Sequence, residues 1–549
     1  MMAMAVVAWA GCEAAKYSQE ADDEVYQILS QRSQDVLGRK ETHPIATELT
    51  QRQPSDVNGS EIILDRFQNV EGRLITLPES LDLAVKANRT YQFNREKLYL
   101  SALSLTGTRH RFAFKVSSSS VDGAITRGTD GGLDGSSAGA LTLNKLMKAG
   151  GSITTSLAND LALYFDGKPK VPSLTMNLTQ PLLRGAGTDI ATEVLTQAER
   201  DVVYEVRSFS RYQKTFALGV VNDYLDLLQQ ADSMRIAYNN YTNRIYFQLE
   251  TEARVQGGLM SEFEMNRTQQ QVYSSKISYI NATNTFQNSL DDFKQKLSLP
   301  LGTPIRLDLS VLDEINELGL PTVQVTDESG YYMAITNRLD FLNNIDRFED
   351  SKRKVRVTKQ DLLQSLSFIA DASLKDHFYD SFQPENYSST LKLKLDLPLD
   401  QLSERNAYRT SLINFERQVR SLATKLDELR DSIRTNVRNL ARQKQSYYTQ
   451  AQALENAKNQ ALSTQLRMRL GLPGVSTEDI IRAQDGVTQA EQSLSRALID
   501  YHKTRLNLLL DVGELDTTEE QFWLKAGVGP AAPPEALDNV IPPNQILGQ

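Results

Sequence analysis

The run Leu174-Thr-Met-Asn-Leu-Thr-Gln-Pro-Leu182 decides how the chain is organised, because it returns 217 positions later as Leu391-Lys-Leu-Lys-Leu-Asp-Leu-Pro-Leu399. In both copies apolar and polar residues alternate strictly. The apolar positions are Leu174, Met176, Leu178, Leu391, Leu393 and Leu395, and the polar positions between them are Thr175, Asn177, Thr179, Lys392, Lys394 and Asp396. Such alternation predicts a strand with one apolar and one wet face, either between lipid and an aqueous lumen or in a soluble sandwich. The chain is an internal duplication.

Each copy of this strand leads directly into a long helical stretch. Residues 188–256 and 401–470 contain no proline, and their apolar residues recur three or four positions apart. At 1.5 Å per residue each helix would be roughly 100 Å long, several times the diameter of a small domain. A rod of that length has no compact core to cover it, so we expect it to pack along other rods as in a coiled-coil bundle.

Composition excludes several classes of protein. The chain has 549 residues, a net charge of −9 and a hydrophobic fraction of 40%, with a pI near 5.3 and a mean hydropathy of −0.40. An acidic chain without a basic patch is a poor partner for nucleic acid, whose binding depends on Lys and Arg. No stretch after the first dozen residues approaches the ~20 apolar residues of a membrane helix. If the chain crosses a membrane, strands do so.

The single cysteine, Cys12, ends a short apolar run that closes Ala10-Gly11-Cys12. This segment resembles the cleavage box of bacterial lipoproteins, in which the cysteine is acylated and becomes the mature N-terminus. It departs from that pattern at Trp9, where leucine is usual, and in having no Lys or Arg before the apolar run. We predict lipidation at Cys12; the alternative is an incidental cysteine in a cleaved leader.

The pattern predicts six segments in chain order. They are a signal or lipobox-like segment (1–12), a periplasmic spacer with a short helix (13–76), a first repeat (77–303), a connector (304–328), a second repeat (329–515) and a proline-containing tail (516–549). The first repeat is expected to hold strands at 109–120 and 171–182, a helix at 188–256, a tip at 257–261 and a return helix at 262–298. The second is expected to hold strands at 364–374 and 388–399, a helix at 401–470, a tip at 471–476 and a return helix at 477–511.

The first repeat is longer than the second between its opening helix and its shared strand. Asn88-Arg89 matches Asn337-Arg338 at an offset of 249, which exceeds the strand offset of 217 by 32 residues. That excess is the size of one added hairpin, and the residues do not show whether the hairpin joins the sheet. The Gly-, Ser- and Thr-rich stretch 117–139 is interpreted as a surface loop.

The ends of the long helices carry the most specific signal. Two sets of residues recur in both repeats. Before each tip, Arg254, Gly258 and Leu259 match Arg467, Gly471 and Leu472. After each tip, with two residues inserted in the second repeat, Ser261, Glu264 and Arg267 match Ser476, Asp479 and Arg482. Glycine ends a helix by adopting a left-handed conformation, and serine caps the next helix with a carboxylate in its first turn. Ser261 to Glu264 is a capping box by sequence. Each repeat is therefore predicted to form a long helical hairpin with a tight tip.

This order of elements resembles the TolC-type outer-membrane efflux family over roughly Leu77 to Leu515. The likeness depends on the order of the elements: a helix, a strand pair, the strand ending in Thr179–Gly187, the very long helix, the Gly-Leu tip and the return helix ending Leu299-Pro-Leu-Gly302. It implies a mixed α and β fold, in which long α-helical hairpins form an α-barrel and short strands complete a trimeric β-barrel. It also implies a homotrimer in outer-membrane lipid that projects into the periplasm, a periplasmic adaptor (membrane fusion protein) and an inner-membrane pump.

The resemblance also assigns roles to the tips. The adaptor-docking positions of the family fall on Gly258, Leu259, Gly471 and Leu472, flanked by Arg254, Ser261, Arg467 and Ser476. Its acidic tunnel-mouth position falls on Glu264 and Asp479. This chain departs in having Arg267 and Arg482 one turn further, where a local acid–arginine pair would neutralise the charge. A plain surface salt bridge is the alternative interpretation.

Catalysis is not expected. The four histidines, His43, His110, His377 and His502, are scattered without a second ligand at metal spacing, and no cofactor motif is complete. Two functions of different class remain: a trimeric outer-membrane conduit of a tripartite export system, and a lipid-anchored periplasmic coiled-coil scaffold or adaptor without a channel. The sequence does not identify the exported substrate.

Overall fold

The computed structural model describes residues 14–67, 72–118, 122–127, 133–160, 173–375, 387–472, 474–519 and 521–524. Cys12 and the predicted signal segment, Pro473 in the second tip and the tail beyond residue 524 lie outside these ranges. The chain divides into two compact units. The first contains residues 1–44, 97–207 and 343–425, and the second contains residues 45–96, 208–342 and 426–549.

The first repeat and the segment before it contain seven helices and six strands among the described residues. In chain order they are α1 (Ala14–Leu37), α2 (Gly59–Phe67), β1 (Arg73–Ile75), α3 (Leu77–Ala87), α4 (Arg89–His110), β2 (Lys115–Ser118), β3 (Asp122–Arg127), β4 (Leu133–Leu146), β5 (Ser152–Asp160), β6 (Ser173–Pro181), α5 (Thr188–Ala191), α6 (Glu193–Gln256) and α7 (Glu262–Lys296). Two short 3-10 turns, Glu48–Gln51 and Pro54–Asp56, lie between α1 and α2.

The connector and the second repeat follow the same plan with fewer strands. Their elements are β7 (Ile305–Leu307), α8 (Ser310–Leu318), α9 (Asp327–Asn337), α10 (Leu339–Gln360), β8 (Ser365–Lys375), β9 (Tyr387–Asp396), α11 (Leu402–Arg469) and α12 (Thr477–Val512). The predicted mixed α and β class with two long helical hairpins is confirmed. None of the described helices carries an apolar stretch that could cross a membrane.

The caps of the opening helices correct the alignment of the two repeats by one residue. Thr76 caps α3 and Thr326 caps α9, each by accepting a hydrogen bond from the third backbone N–H of its helix. The two caps are 250 positions apart. Asn88 therefore corresponds to Arg338 and not to Asn337, because Asn88 and Arg338 each form the C-cap of the opening helix and the matching Asn-Arg dipeptides are displaced by one position.

The first unit contains a seven-stranded antiparallel sheet. Its order is β2-β4-β5-β6-β8-β9, with β3 also paired to β4. The register places Leu157, Leu174 and Leu374 side by side on one face. It places Ser156, Thr175 and Ser373 side by side on the other face. The predicted alternation therefore extends across three neighbouring strands from both repeats.

The stretch predicted to be a surface loop contains strands, so that interpretation was wrong. β3 and the start of β4 fall within residues 117–139, and β4 pairs along its length with β2, β3 and β5. Gly and Ser have low strand propensity, but the ladder uses backbone groups that every residue except proline supplies. The strand expected at 109–120 is shorter, because α4 continues to His110 and β2 begins at Lys115.

The largest core cluster lies in the second unit, where the middle of α6 packs against both short strands and α12. Tyr224 is fully buried there. Its hydroxyl donates to the carbonyl oxygens of Ile75 (3.1 Å) and Asp308 (2.9 Å). These residues end β1 and follow β7, which pair in parallel. The connector is thereby fixed to the first repeat within one core.

The two long helices differ in how much of their surface this chain covers. α6 has buried residues along most of its length. In contrast, α11 spans 68 residues, of which Leu429, Ile433 and Leu440 are buried. Apolar side chains on the rest of α11, such as Leu462 and Leu466, are exposed.

Candidate functional site

Both long helices end with the same backbone geometry at the predicted tips. At the first tip Gly258 has φ +71°, and at the second Gly471 has φ +65°. The N–H of Leu259 donates to the carbonyl of Arg254 at 2.8 Å, and the N–H of Leu472 donates to the carbonyl of Arg467 at 3.0 Å. This pattern is the Schellman motif, in which a glycine at the left-handed position lets two helix-terminal carbonyls be satisfied.

The leucine after each glycine is left largely uncovered by this chain. Leu259 is 79% exposed and Leu472 is 46% exposed. A Schellman motif usually packs this residue against the side chain three positions before the cap, but arginine occupies that position in both tips. Each tip therefore presents an apolar side chain to its surroundings.

The serines cap the return helices, but the two caps are not identical. Ser476 and Asp479 form a complete capping box, in which the Ser476 N–H donates to Asp479 at 2.9 Å. The Ser476 N–H and hydroxyl lower the pKa of Asp479 below its usual range. At the first tip the Ser261 hydroxyl accepts from the Glu264 N–H at 3.4 Å. The reciprocal half predicted for Glu264 is not formed, and its Oε2 is buried without a hydrogen bond among the described residues.

The acid–arginine pairs predicted within each return helix are replaced by one shared acid. Arg267 on α7 and Arg482 on α12 both form ion pairs with Glu478. Asp479 is instead used by its helix cap. Local spacing could not show this, because the Arg267 partner lies on a return helix 211 residues away. Glu478 therefore links the N-terminal parts of the two return helices.

A second link between the hairpins was also missed by sequence reasoning. Arg244 on α6 is 1% exposed, and its Nη2 donates to Asp485 (2.6 Å) and to the Ile481 carbonyl (3.1 Å) on α12. Burial lowers the pKa of Arg244, and Asp485 opposes that shift. Phe247 packs beside this arginine against Ile480 and Ile481. In the sequence, the arginine at position 244 within an apolar stripe of the helix could have indicated a buried ion pair, but the sequence does not identify Asp485 as its partner.

The polar face of the sheet carries charge near its β9 edge. Lys392 on β9 lies 3.6 Å from Asp371 on β8. Asp371 also accepts a hydrogen bond from Asn177 on β6. The three residues line one face, while Leu391 and Leu393 project from the other and are 73% and 70% exposed.

One cleft in the first unit does not coincide with any predicted site residue. It has a volume of about 700 Å³ in the first unit and is lined by α4, α6, α10 and α11. Its lining includes the apolar side chains of Val194, Val357 and Phe415 and the charged side chains of Glu193 and Lys354. Among the described residues no cluster of His, Cys, Asp and Glu has the geometry of a metal site.

Comparison with known proteins identifies the architecture. No protein-family model and no curated protein matches the chain. Several solved structures do. The CmeC outer-membrane channel of Campylobacter jejuni has 13% identity and a TM-score of 0.57, with 80% of this chain and 85% of that chain covered. The outer-membrane protein VceC of Vibrio cholerae has 12% identity and a TM-score of 0.56, with 80% and 96% covered.

A third solved structure gives the same result. The MtrE outer-membrane channel of Neisseria gonorrhoeae, in its open state, has 12% identity and a TM-score of 0.56, with 80% of this chain and 88% of that chain covered. At such identities the likeness establishes the fold. The chain therefore has the fold of bacterial outer-membrane channel proteins, as its duplicated strands and helical hairpins predict.

Proposed function

We propose that this protein is the outer-membrane channel of a tripartite export system. Three copies would form one conduit from the periplasm to the exterior, with a periplasmic adaptor and an inner-membrane pump as partners. The observation that carries the proposal is the two-faced sheet, whose apolar face is exposed on a chain with the fold of outer-membrane channels. The role is transport, without a catalytic residue, resident metal or cofactor.

The apolar face of the sheet supports insertion into lipid. It continues from Val116 on β2 through Leu143 and Met176 to Leu391 and Leu393 on β9, and all five are exposed. Burying one such side chain contributes about 1.5–3 kcal/mol. A continuous exposed apolar patch marks a surface that another apolar phase covers. The opposite face carries the Lys392–Asp371 pair, as expected for a wet lumen.

The unpaired sheet edges and α11 support an oligomer. The sheet ends at β9 on one side and at β2 and β3 on the other. Open edges cannot be satisfied in lipid, so a spanning sheet must close. The long exposed stretch of α11 likewise needs neighbours. Both needs are met by further copies of the chain.

The tips support docking of a partner helix pair. Leu259 and Leu472 are exposed at rigid turns whose geometry is set by Gly258 and Gly471. Arg254 is held beside its tip by Glu250 at 2.8 Å. We assign these residues, with Ser261, Arg467 and Ser476, to the adaptor-facing surface, and Glu264, Arg267, Asp479 and Arg482 to the tunnel mouth.

Fractionation of a Cys12→Ala variant separates the channel from the alternative scaffold. If the sheet spans the outer membrane, the variant stays in the membrane fraction, needs detergent for extraction and migrates as a heat-resistant trimer. If the lipid is the anchor of a soluble scaffold, the variant appears in the periplasmic extract as a monomer. That second result would refute the channel.

A matched pair of variants on β9 tests which face meets lipid. Leu393→Arg places a charge on the apolar face and costs about 2–4 kcal/mol for each chain near the bilayer midplane. Lys394→Arg keeps a charge on the adjacent, polar face. We expect Leu393→Arg to abolish heat-resistant trimers and conductance in planar bilayers, and Lys394→Arg to retain both. Equal behaviour of the two variants would contradict the assignment of faces.

A further inference from the structure

We infer that the added hairpin of the first repeat forms one edge of the sheet of each subunit and pairs with β9 of the next copy. Three chains would then close a barrel of eighteen spanning strands. The added hairpin consists of β4 and of β2 and β3, which pair with successive stretches of β4 and are counted here as one segment. The inference rests on the proposed function, because it requires a closed trimer. The inference assigns a strand partner to each of the two edges of the sheet, which are open in the single chain.

The insertion is located by comparing the registers of the two repeats. Ile153 pairs with Leu178 on β6, as Leu366 pairs with Leu395 on β9. β5 therefore corresponds to β8 at an offset of 213, whereas the opening helices correspond at 250. The difference, 37 residues, equals the stretch 115–151, which contains β2, β3, β4 and the following turn. In the second repeat the chain passes directly from α10 to β8.

The added hairpin is fixed to the rest of the sheet. β4 pairs with β5 over nine residues, from Ala138–Asp160 to Leu146–Ser152. Gln180 on β6 donates to the carbonyl of Ala149, in the turn between β4 and β5, at 3.2 Å. Gly150, in the same turn, has φ +92° and lies so close to the Gly185 carbonyl that a Cβ would clash with it. The hairpin is thus part of the sheet and not a separate flap.

The direction of the edge strands allows the sheet to close on the next copy. Every strand in the sheet runs antiparallel to the strand beside it. There are six spanning segments, so the first and the last run in opposite directions. An antiparallel ladder between β9 and the β2–β3 segment of the next copy continues this alternation without a break.

The β9 edge has the properties of a strand that awaits a partner. All ten of its residues are exposed, and β8 pairs with it on one side. Of the features with which proteins protect a free edge, β9 has two lysines, Lys392 and Lys394, on its polar face but neither a proline nor a bulge. Three chains with six segments each give eighteen strands, against twelve if the first repeat had the two strands of the second. Because barrel diameter grows roughly linearly with strand number, the pore would be about half as wide again.

Disulfide trapping in the full-length protein tests the edge contact. Ser117 on β2 lies on the polar face, in the same row as Ser156 and Ser388. We would combine Ser117→Cys with a cysteine at each polar-face position of β9 in turn, since one chain does not set the register between copies. These positions are Ser388, Thr390, Lys392 and Lys394. The matched control replaces Ser117→Cys by Ser156→Cys, on an interior strand.

The expected result is a covalent trimer, on non-reducing gels, for at least one Ser117 pair and for no Ser156 pair. Single-cysteine variants give the background from Cys12. Trimers that crosslink through Ser156 and not Ser117 would overturn the inference while leaving the proposed function intact. A protein that is monomeric in detergent and forms no crosslink would overturn both.

Excision of residues 115–151 provides the second variant. It joins Phe114 to Ser152 and reproduces the direct connection that the second repeat makes at Gln364–Ser365. With β5 now at the edge, the crosslink should move to Ser156. A variant that still trimerises but gives no Ser156 crosslink with any β9 cysteine would contradict the inference.

Discussion

His502 should make the stability of this protein depend on pH between about 4 and 6.5. The ring is 1% exposed on α12, and its Nε2 lies 2.9 Å from the Gly319 carbonyl. The carbonyl can only accept, so Nε2 carries the proton of the neutral ring. Burial and the charge of Arg505 lower the pKa of His502 from 6.5 to about 4, while the bond to Gly319 acts in the opposite direction.

The sign and size of the effect follow from linkage. Because the folded pKa is depressed, the unfolded chain binds more protons between pH 6.5 and pH 4. The stabilising contribution of the neutral ring is therefore complete above pH 6.5 and is lost as the pH falls towards 4. With 1.36 kcal/mol for each pKa unit, the loss at pH 5 relative to pH 7.5 is roughly 2 kcal/mol.

A His502→Gln variant isolates this contribution, because glutamine can still donate to the Gly319 carbonyl but does not titrate. The free energy of unfolding of the detergent-solubilised protein would be measured in guanidinium at pH 7.5 and pH 5. All other titrating groups are common to both proteins, so the wild type should lose about 2 kcal/mol more than the variant. If the two proteins lose the same free energy, His502 is not desolvated as the structure shows.

Three further substitutions test other contacts. Tyr224→Phe removes the single hydroxyl proton that the Ile75 and Asp308 carbonyls share and should lower the free energy of unfolding by about 1–3 kcal/mol. The buried Asp350 carboxylate accepts a hydrogen bond from Tyr204 and pairs with two arginines. Asp350→Asn removes its charge and should lower the free energy of unfolding by about 3–5 kcal/mol. Glu349→Gln, at the exposed neighbouring position, should lower it by about 0.5 kcal/mol or less. Gly150→Ala should reduce the yield of folded protein, whereas Gly185→Ala, with the same left-handed backbone but open space, should retain most of it. Denaturation curves and the yield of detergent-extracted protein check all three.

Local patterns predicted the elements whose causes are local. The alternation in 174–178 and 391–395 set the faces of β6 and β9, and the Gly-Leu pair followed by a capping serine, three positions after the glycine in the first tip and five in the second, set the tips. In each case a few neighbouring residues determine the backbone, so spacing alone was sufficient.

Contacts between distant segments were not predictable in the same way. β3 and β4 are held in the sheet by ladder partners and not by their own propensity, so the Gly- and Ser-rich stretch was interpreted as a loop. Glu478 was overlooked because its partner Arg267 is on another helix. The one-residue error at Asn88 arose from a matching dipeptide, and the helix caps, which depend on backbone geometry, corrected it.

The duplication is asymmetric in a way that favours a ring. β6 of the first repeat is paired on both sides, whereas β9, its equivalent in the second repeat, is paired on one. α6 is buried along most of its length, whereas its equivalent α11 is mostly exposed. In the proposed trimer, the open edge of β9 would meet the added hairpin of the first repeat of another copy. Such a contact joins unlike edges, and head-to-tail contacts of this kind close into a ring when the rotation between copies permits it. A two-fold dimer would instead join like edges and leave the other kind of edge, either β9 or the added hairpin, unpaired.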